Sequence, residues 1–218
     1  MGEHTGAKET REMSMSADPQ YVLEVIPPGQ GLVLDLAGGR GTLRQSLEIL
    51  GYRYINVDIK RFGSGEPSLI GDAHILPFQD ASFDIVISKD TLEHFIQPWV
   101  VVKEVHRLLK DDGRFIIWVP FMHPFHGDDF YRYSPLGLQH LLSDFDIVLF
   151  ESPLQVFTVV GMAGIEMLKR LHLGFVEQPL EQICGALDHI LIWFQKRQRP
   201  ASFAAAYRIV AYKRKRLC

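Results

Sequence analysis

The fold predicted for this chain is α/β, a doubly wound, seven-stranded, mostly parallel sheet with a helical insertion before the last strand. Three observations predict it. Short apolar β-type runs alternate with helical periodicity, each run ends at a polar residue, and a glycine-rich turn joins the first run to the first helical pattern. Parallel strands joined by right-handed crossovers follow, and such sheets bind ligands outside the carboxyl ends of their strands.

The first strand is LVLDLA (32 to 37). It is followed by LRQSLEILG, where Leu43, Leu47 and Leu50 share one helical face and Gly51 supplies a stop. YINVD (54 to 58) is the second strand, SLIGD (68 to 72) a short third, and FDIVIS (83 to 88) a fourth whose continuous apolar character suits burial on both faces. After Pro98, Val101, Val105, Leu108 and Leu109 are spaced for a buried helical face, with Gly113 as the expected terminator and RFIIWVP (114 to 120) as the fifth strand. SPLGLQHLLSDF adds a helix with Ser134 at its N-cap and Pro135 at its first position. FDIVLFES (145 to 152) and AAYRIVAYK (205 to 213) complete the strands. Between them two helical patterns, near 155 to 172 and 179 to 197, are broken around Gly174 and Pro179. This apolar insertion, about 153 to 200, is expected to lid a pocket or to form an interface, a homodimer being one form of it.

The chain has 218 residues, 47% of them hydrophobic and 22% charged, which suits one globular domain. Residues 1–17 are polar and read as a flexible lead-in to a single domain over 18–218. A net charge of −3 recruits no polyanion, so no nucleic-acid partner is expected, although Lys213, Arg214, Lys215 and Arg216 make a basic end that reads as a solvated tail. Two cysteines without paired spacing indicate neither a disulfide framework nor a cysteine zinc site, and a reducing cytoplasm fits. The longest apolar stretch, at 154 to 168, is too short for a bilayer span and carries Gln155 and Glu166.

Asp35-Leu36-Ala37-Gly38-Gly39-Arg40-Gly41 closes the first strand, and its small residues let a ligand approach the backbone and the helix N-terminus. A dinucleotide fingerprint would put Gly or Ala three residues after Gly41, but Arg44 stands there, which argues against a nicotinamide-dependent oxidoreductase. Asp58 ends the second strand, where a carboxylate can accept hydrogen bonds from ribose hydroxyls, and Asp72 ends the third beside Ala73, placed to meet an adenine ring.

These motifs, VLDLAGGRG, NVD, GDAHILPFQDASFDIVIS, LEH and EVHRLLKDDGRFIIWVP, resemble those of the class I S-adenosylmethionine-dependent methyltransferases, small-molecule type, with a type 11-like domain over about residues 30 to 150. The resemblance implies a cytoplasmic methyltransferase using S-adenosyl-L-methionine. Asp35 would belong to the cofactor site, with Ala37, Gly39 and Gly41 lining the methionine part, Asp58 the ribose, Asp72 and Ala73 the adenine, and Ser88 the methionyl end. Ala37 stands where the family more often has Gly, a tolerable change if φ stays negative there, and Gly38 stands where Cys is common. A subunit of this fold that acts as a non-catalytic partner module is the alternative from another class.

HPFHGDDFYRYSP (123 to 135) follows the fifth strand and so lies on the cofactor rim. Its pattern is similar to that of a subset of these enzymes, some associated with glycan or surface-polysaccharide pathways. The acceptor is therefore expected to be a small molecule or glycan-linked. Methyl transfer from a sulfonium needs alignment first and a base where the acceptor is a hydroxyl or a protonated amine. His126 is the leading base by ordinary pKa, His123 the second, and Asp128 an orienting carboxylate. His94, Asp129, Tyr131 and Arg132 are the expected acceptor contacts. No metal is expected, because a cation-dependent enzyme needs an oxygen-rich site assembled across the strand ends, and one compact loop does not show it.

Overall fold

A computed structural model describes residues 19–62, 67–125, 127–170, 176–194 and 203–214. The strands are β1 (Gly31–Leu36), β2 (Tyr52–Asp58), β3 (Leu69–Ile70), β4 (Phe83–Lys89), β5 (Leu109–Pro120), β6 (Phe145–Glu151) and β7 (Ala206–Lys213). The helices are α1 (Gln20–Leu23), α2 (Arg44–Ile49), α3 (Pro98–Leu108), α4 (Pro135–Leu141), α5 (Val156–Arg170) and α6 (Glu177–Phe194), with a 3-10 turn at Leu92–His94. One seven-stranded sheet runs in the order β3-β2-β1-β4-β5-β7-β6. Its first five strands are parallel, while β7 is antiparallel to both β5 and β6.

Alternation along the central strands divides the core. Ile85 and Ile87 of β4, with Val33, Ile116 and Trp118, face a layer formed with Val22 and Ile26 and with Leu43 and Leu47 of the α2 region. Val86, Leu34, Leu36, Phe115, Ile117 and Val119 face the opposite layer, which holds Val101, Val102, Val105 and Leu108 of α3 and Leu138 of α4. The strand order reverses between β1 and β4, so the crossovers leave that point in opposite directions and open a cleft at the carboxyl ends.

Several expectations are corrected. Gly113 does not end a helix. α3 stops at Leu108, and Leu109 is already extended, with φ −72 and ψ 139, because it pairs with Phe83 of β4 as the first residue of β5. Residues 110 to 113 are instead extra chain in β5, where Phe83 pairs with Leu109 but Ile85 pairs with Arg114. Pro179 does not break the insertion either. It sits in the first turn of α6, where its missing N–H is harmless. Gly174, the other expected break, lies outside the described residues, as do the lead-in 1–17 and the basic residues Lys215 and Arg216. Lys213 and Arg214 are not a solvated tail. Lys213 Nζ donates to the Leu109 carbonyl at 2.8 Å, and Arg214 binds Asp146 at 2.8 Å and the carbonyls of Ser143 and Phe145. Ser134 caps α4 as expected, accepting from Gly137 N at 3.1 Å.

The insertion is a helical pair closed from within. A Cβ on Gly161 of α5 would meet Cys184 Sγ of α6 at 2.6 Å, so the glycine sets how closely the helices pack. The buried carboxylate of Asp188 on α6 accepts hydrogen bonds from Gln155 N, Phe157 N and Thr158 N, at 2.7, 3.0 and 2.9 Å, and thereby caps the start of α5. Among the described residues no helix is long and apolar enough to cross a membrane.

Candidate functional site

The turn after β1 is held by side chains from β2. Asp58 Oδ2 accepts from Gly39 N at 3.0 Å, and its Oδ1 accepts from Lys60 N at 3.0 Å. Asn56, fully buried, donates Nδ2 to the Gly39 carbonyl at 2.9 Å and anchors Ser68 through Oδ1. Gly39 and Gly41 have φ of +53 and +72, conformations that glycine adopts without penalty. Among the described residues a Cβ on Gly39 would meet only Phe62 Cζ, at 3.8 Å, which leaves room for a ligand against the backbone of the turn. Two lone-pair positions remain on the Asp58 carboxylate beyond those holding the turn, enough for ribose hydroxyls. These features fit an adenosyl cofactor.

Ala37 departs from expectation, since its φ is +50. The chain must reverse there so that Gly38 N can reach the Val57 carbonyl at 3.3 Å, and the alanine Cβ carries the strain. Replacing Ala37 with glycine is expected to raise stability by about 0.5 kcal/mol, strain relief partly offset by the greater freedom of an unfolded glycine. Ala37→Val should lower it by about 1 kcal/mol or more, both read by urea denaturation.

Beneath the turn, Asp35 is buried and accepts from the Tyr54 hydroxyl at 2.5 Å. Its carboxylate lies over Gly38, where a Cβ would come within 2.4 Å of Oδ2, so the Asp35 rotamer explains why glycine rather than cysteine stands there. Burial pushes the Asp35 pKa up to about 6, opposed by the Tyr54 hydrogen bond and the nearby Lys89 charge. A carboxyl raised in the folded state favours folding only while protonated. Its contribution therefore falls as pH climbs from about 4 to about 6, by roughly 3 kcal/mol for a shift of this size. Subtracting the Asp35→Asn stability profile from that of the native chain should isolate this fall, and a flat difference across that window would contradict it.

Further along the rim, Asp72 is held by His74, whose backbone N and ring Nδ1 lie 2.9 and 2.6 Å from Oδ1. The backbone N–H foremost, then the ring, hold the Asp72 carboxyl below its usual range. Ala73 is buried beside it. The Ser88 hydroxyl pairs with Thr91 at 2.6 Å inside the protein, so the Ser88 side chain shapes the end of β4 and does not line the cleft. The next two residues turn sharply: Lys89 Nζ meets Asp90 Oδ2 at 2.7 Å, and Asp90 has φ +50.

The loop after β5 is fastened to the 3-10 turn. Phe130 N and Tyr131 N donate to the Glu93 carbonyl at 2.9 and 3.2 Å, the Tyr133 hydroxyl donates to the Leu92 carbonyl at 2.9 Å, and the Tyr131 hydroxyl donates to the Ile96 carbonyl at 2.9 Å. The two tyrosine rings stack at 5.7 Å, and burial raises the Tyr133 pKa. These bonds bring Asp129, only 1% exposed at its side chain, between two partners: Arg132 at 2.6 Å from Oδ2 and His94 Nδ1 at 3.1 Å from Oδ1. Arg132 also lies 4.9 Å over the Phe125 ring.

The expected roles thus separate. His94, Asp129 and Arg132 come together, while Tyr131 turns its hydroxyl to the Ile96 carbonyl and its ring to Tyr133. Asp128 contributes its carbonyl, 3.2 Å from His94 Nδ1. His123 turns its Nδ1 to the Pro124 carbonyl at 2.8 Å. His126 lies outside the described residues. Sequence reasoning missed Glu93, whose buried side chain adjoins His94, and Asn56 and Tyr54, which shape the turn; a polar residue inside an apolar strand is the signal that marks Asn56. One ligand atom each from Glu93, His94 and Asp129 falls within 4.8 Å of the others, a group that could hold a metal ion. It is assembled from two strand ends, an arrangement invisible within the loop alone.

A family model described as a methyltransferase domain matches residues 34–117. A demethylmenaquinone methyltransferase of Thermotoga maritima is 29% identical over 181 residues, covering 68% of this chain and 74% of the relative. An uncharacterized methyltransferase of a Mycobacterium species is 27% identical and covers 63% of this chain, which spans 56% of that relative's length. The Burkholderia thailandensis 1,6-didemethyltoxoflavin-N1-methyltransferase, solved with bound 1,6-didemethyltoxoflavin and S-adenosylhomocysteine, has the same fold. Its TM-score is 0.59 at 16% identity, over 93% of this chain and 80% of that one.

Proposed function

The chain belongs to the class I S-adenosylmethionine-dependent methyltransferases, and from that premise we propose that it methylates an oxygen or nitrogen atom of a small or glycan-linked acceptor in the cytoplasm. Bound S-adenosylmethionine supplies a methyl group on a sulfonium, ready for in-line attack. The chain's own task is then to align the acceptor, exclude water and receive a proton. One observation carries the reading: the backbone cradle of Gly39 and Gly41 and the polar group of His94, Asp129 and Arg132 occupy the carboxyl ends of neighbouring strands. In this reading Asp58 holds the ribose and Asp72 with Ala73 the adenine. Arg132 and Tyr131 bind the acceptor, and a loop histidine, His126 first and His123 second, takes its proton, with the Asp128 carboxylate as the orienting group.

Thermal shift with S-adenosylmethionine, S-adenosylhomocysteine and NAD tests the cofactor. Stabilisation by the first two is expected, and a preference for NAD would sink the reading. Release of S-adenosylhomocysteine over a panel of phenols, amines and sugar alcohols then sorts the acceptor class; turnover of none of these O and N acceptors would count against methyl transfer to them.

Ile183, Leu187, Ile190 and Trp193 on α6 are 57, 38, 53 and 79% exposed and fall on one helical face. That stripe supports the reading that the insertion pairs two copies of the chain. Sedimentation of the native protein and of Trp193→Glu tests it, the substitution shifting a dimer to monomer.

A further inference from the structure

The geometry points to the carboxyl-end rim as a surface that docks on an anionic lipid bilayer, with the cofactor cleft opening toward the lipid. Ile96, Trp99, Phe125, Phe130 and Phe203 are each half or more exposed, Phe125 reaching 77%. They come from separate parts of the chain. Ile96 and Trp99 lie between β4 and the first turn of α3, and Phe125 and Phe130 on the loop after β5. Phe203 stands just before β7, which runs antiparallel to β5 and so begins at the same end of the sheet.

Hydrogen bonds fix the loops that carry these tips. The Tyr131 hydroxyl donates to the Ile96 carbonyl at 2.9 Å, Phe130 N to the Glu93 carbonyl at 2.9 Å, and Met122 N to the Ala204 carbonyl at 3.0 Å. Apolar tips whose neighbouring backbone groups are already paired can leave water without stranding those groups. Loop tips bearing Trp and Phe suit shallow insertion at the headgroup boundary, where aromatic side chains partition.

Charge favours the same partner. Arg40, Lys60 and Arg61 are exposed on the loops after β1 and β2, and Arg132 lies 4.9 Å over the Phe125 ring. Among the described residues of these rim loops the exposed acids are Asp72, which His74 holds, and Asp128. A rim that is apolar on one side of the cleft and basic on the other complements a bilayer carrying anionic headgroups, even though the whole chain has a net charge of −3. One consequence rests on the methyltransferase reading: the acceptor is an amphiphile whose polar head reaches the methyl donor while its tail stays in the bilayer.

Flotation of the full chain with vesicles of phosphatidylcholine, alone and mixed with phosphatidylglycerol, tests the docking. Binding to the mixed vesicles is expected, weakened by added salt. Phe125→Ser combined with Phe203→Ser should weaken it roughly tenfold or more, with the Kd for S-adenosylhomocysteine unchanged. Arg61→Glu should weaken it roughly tenfold. Brominated lipid should quench the native fluorescence, and Trp99→Phe should remove most of that quenching while vesicle binding persists. With the panel acceptor that gives the fastest turnover, an alkyl-chain analogue presented in mixed vesicles should raise kcat/KM roughly tenfold or more over the parent compound.

Three results would each overturn the docking. The first is native chain that does not float with mixed vesicles. The second is quenching that survives Trp99→Phe and disappears in Trp193→Phe, which would put the lipid on α6. The third is conversion of a lipid-free dimer to monomer by the Phe125→Ser, Phe203→Ser pair, which would make the rim a contact between copies. An alkyl-chain analogue no faster than its parent would overturn the amphiphilic acceptor. Failure of the native chain to bind S-adenosylhomocysteine would instead sink the methyltransferase reading and leave the vesicle result standing.

Discussion

Replacing Asp58 with alanine is expected to weaken S-adenosylhomocysteine binding by roughly 10²-fold or more, since each hydrogen bond to a charged group contributes about 1.5–3 kcal/mol. Two losses coincide. The ribose would lose its acceptor, and the turn would lose the carboxylate that holds Gly39 N and Lys60 N, each at 3.0 Å. Asp58→Asn should do little better, because its amide must aim a donor either at one of those N–H groups or at the cofactor. Titration calorimetry on the native chain and both variants measures this, with thermal denaturation as the control for folding. An affinity within about fivefold of native for Asp58→Ala would mean that the ribose is held elsewhere.

Asp188→Ala should produce the largest loss of stability. Three backbone N–H groups at the start of α5 depend on that one buried carboxylate, at 2.7 to 3.0 Å, and each buried donor left without a partner costs about 1–3 kcal/mol. A total near 3 kcal/mol corresponds to a fall in Tm of about 6–12 °C for a chain of this size. Asp188→Asn keeps one acceptor oxygen and should fall between the two. Hydrogen exchange at Phe157 and Thr158 localises the effect: faster exchange there than in β4 is expected. A Tm within about 2 °C of native would show that water caps the helix equally well.

The two predictions differ in how far they can be read from the chain alone. Asp58 stands at the end of an apolar run, and its role follows from the way a parallel sheet presents its strand ends. Asp188 is an acidic residue amid the apolar pattern of α6, and nothing local to it names the N–H groups it serves, about thirty residues earlier in the chain.

Local pattern determined the strands, α2, the capped α4 and the glycine turn, because apolar periodicity, Gly, Pro and Ser act within a few residues of themselves. It misplaced the end of α3, where pairing of Leu109 with Phe83 of β4 ends the helix before the stop signal of Gly113. It also assumed a negative φ for Ala37, where the path from β1 to α2 imposes +50.

The rim divides in the same way. That HPFHGDDFYRYSP lies beside the cofactor turn follows from its position after a strand. Which of its acids faces inward does not, and the chemically equivalent neighbours Asp128 and Asp129 end up differently placed: one offers a carbonyl, the other a buried carboxylate. The partner that makes Asp129 significant, His94, is thirty-five positions away and reaches it only because β4 and β5 are adjacent in the sheet. The sequence by itself determined the fold, the cofactor class and the rim. Tertiary structure alone decided which side chains meet there, since contacts across strands are set by sheet order and register, and no single segment encodes them.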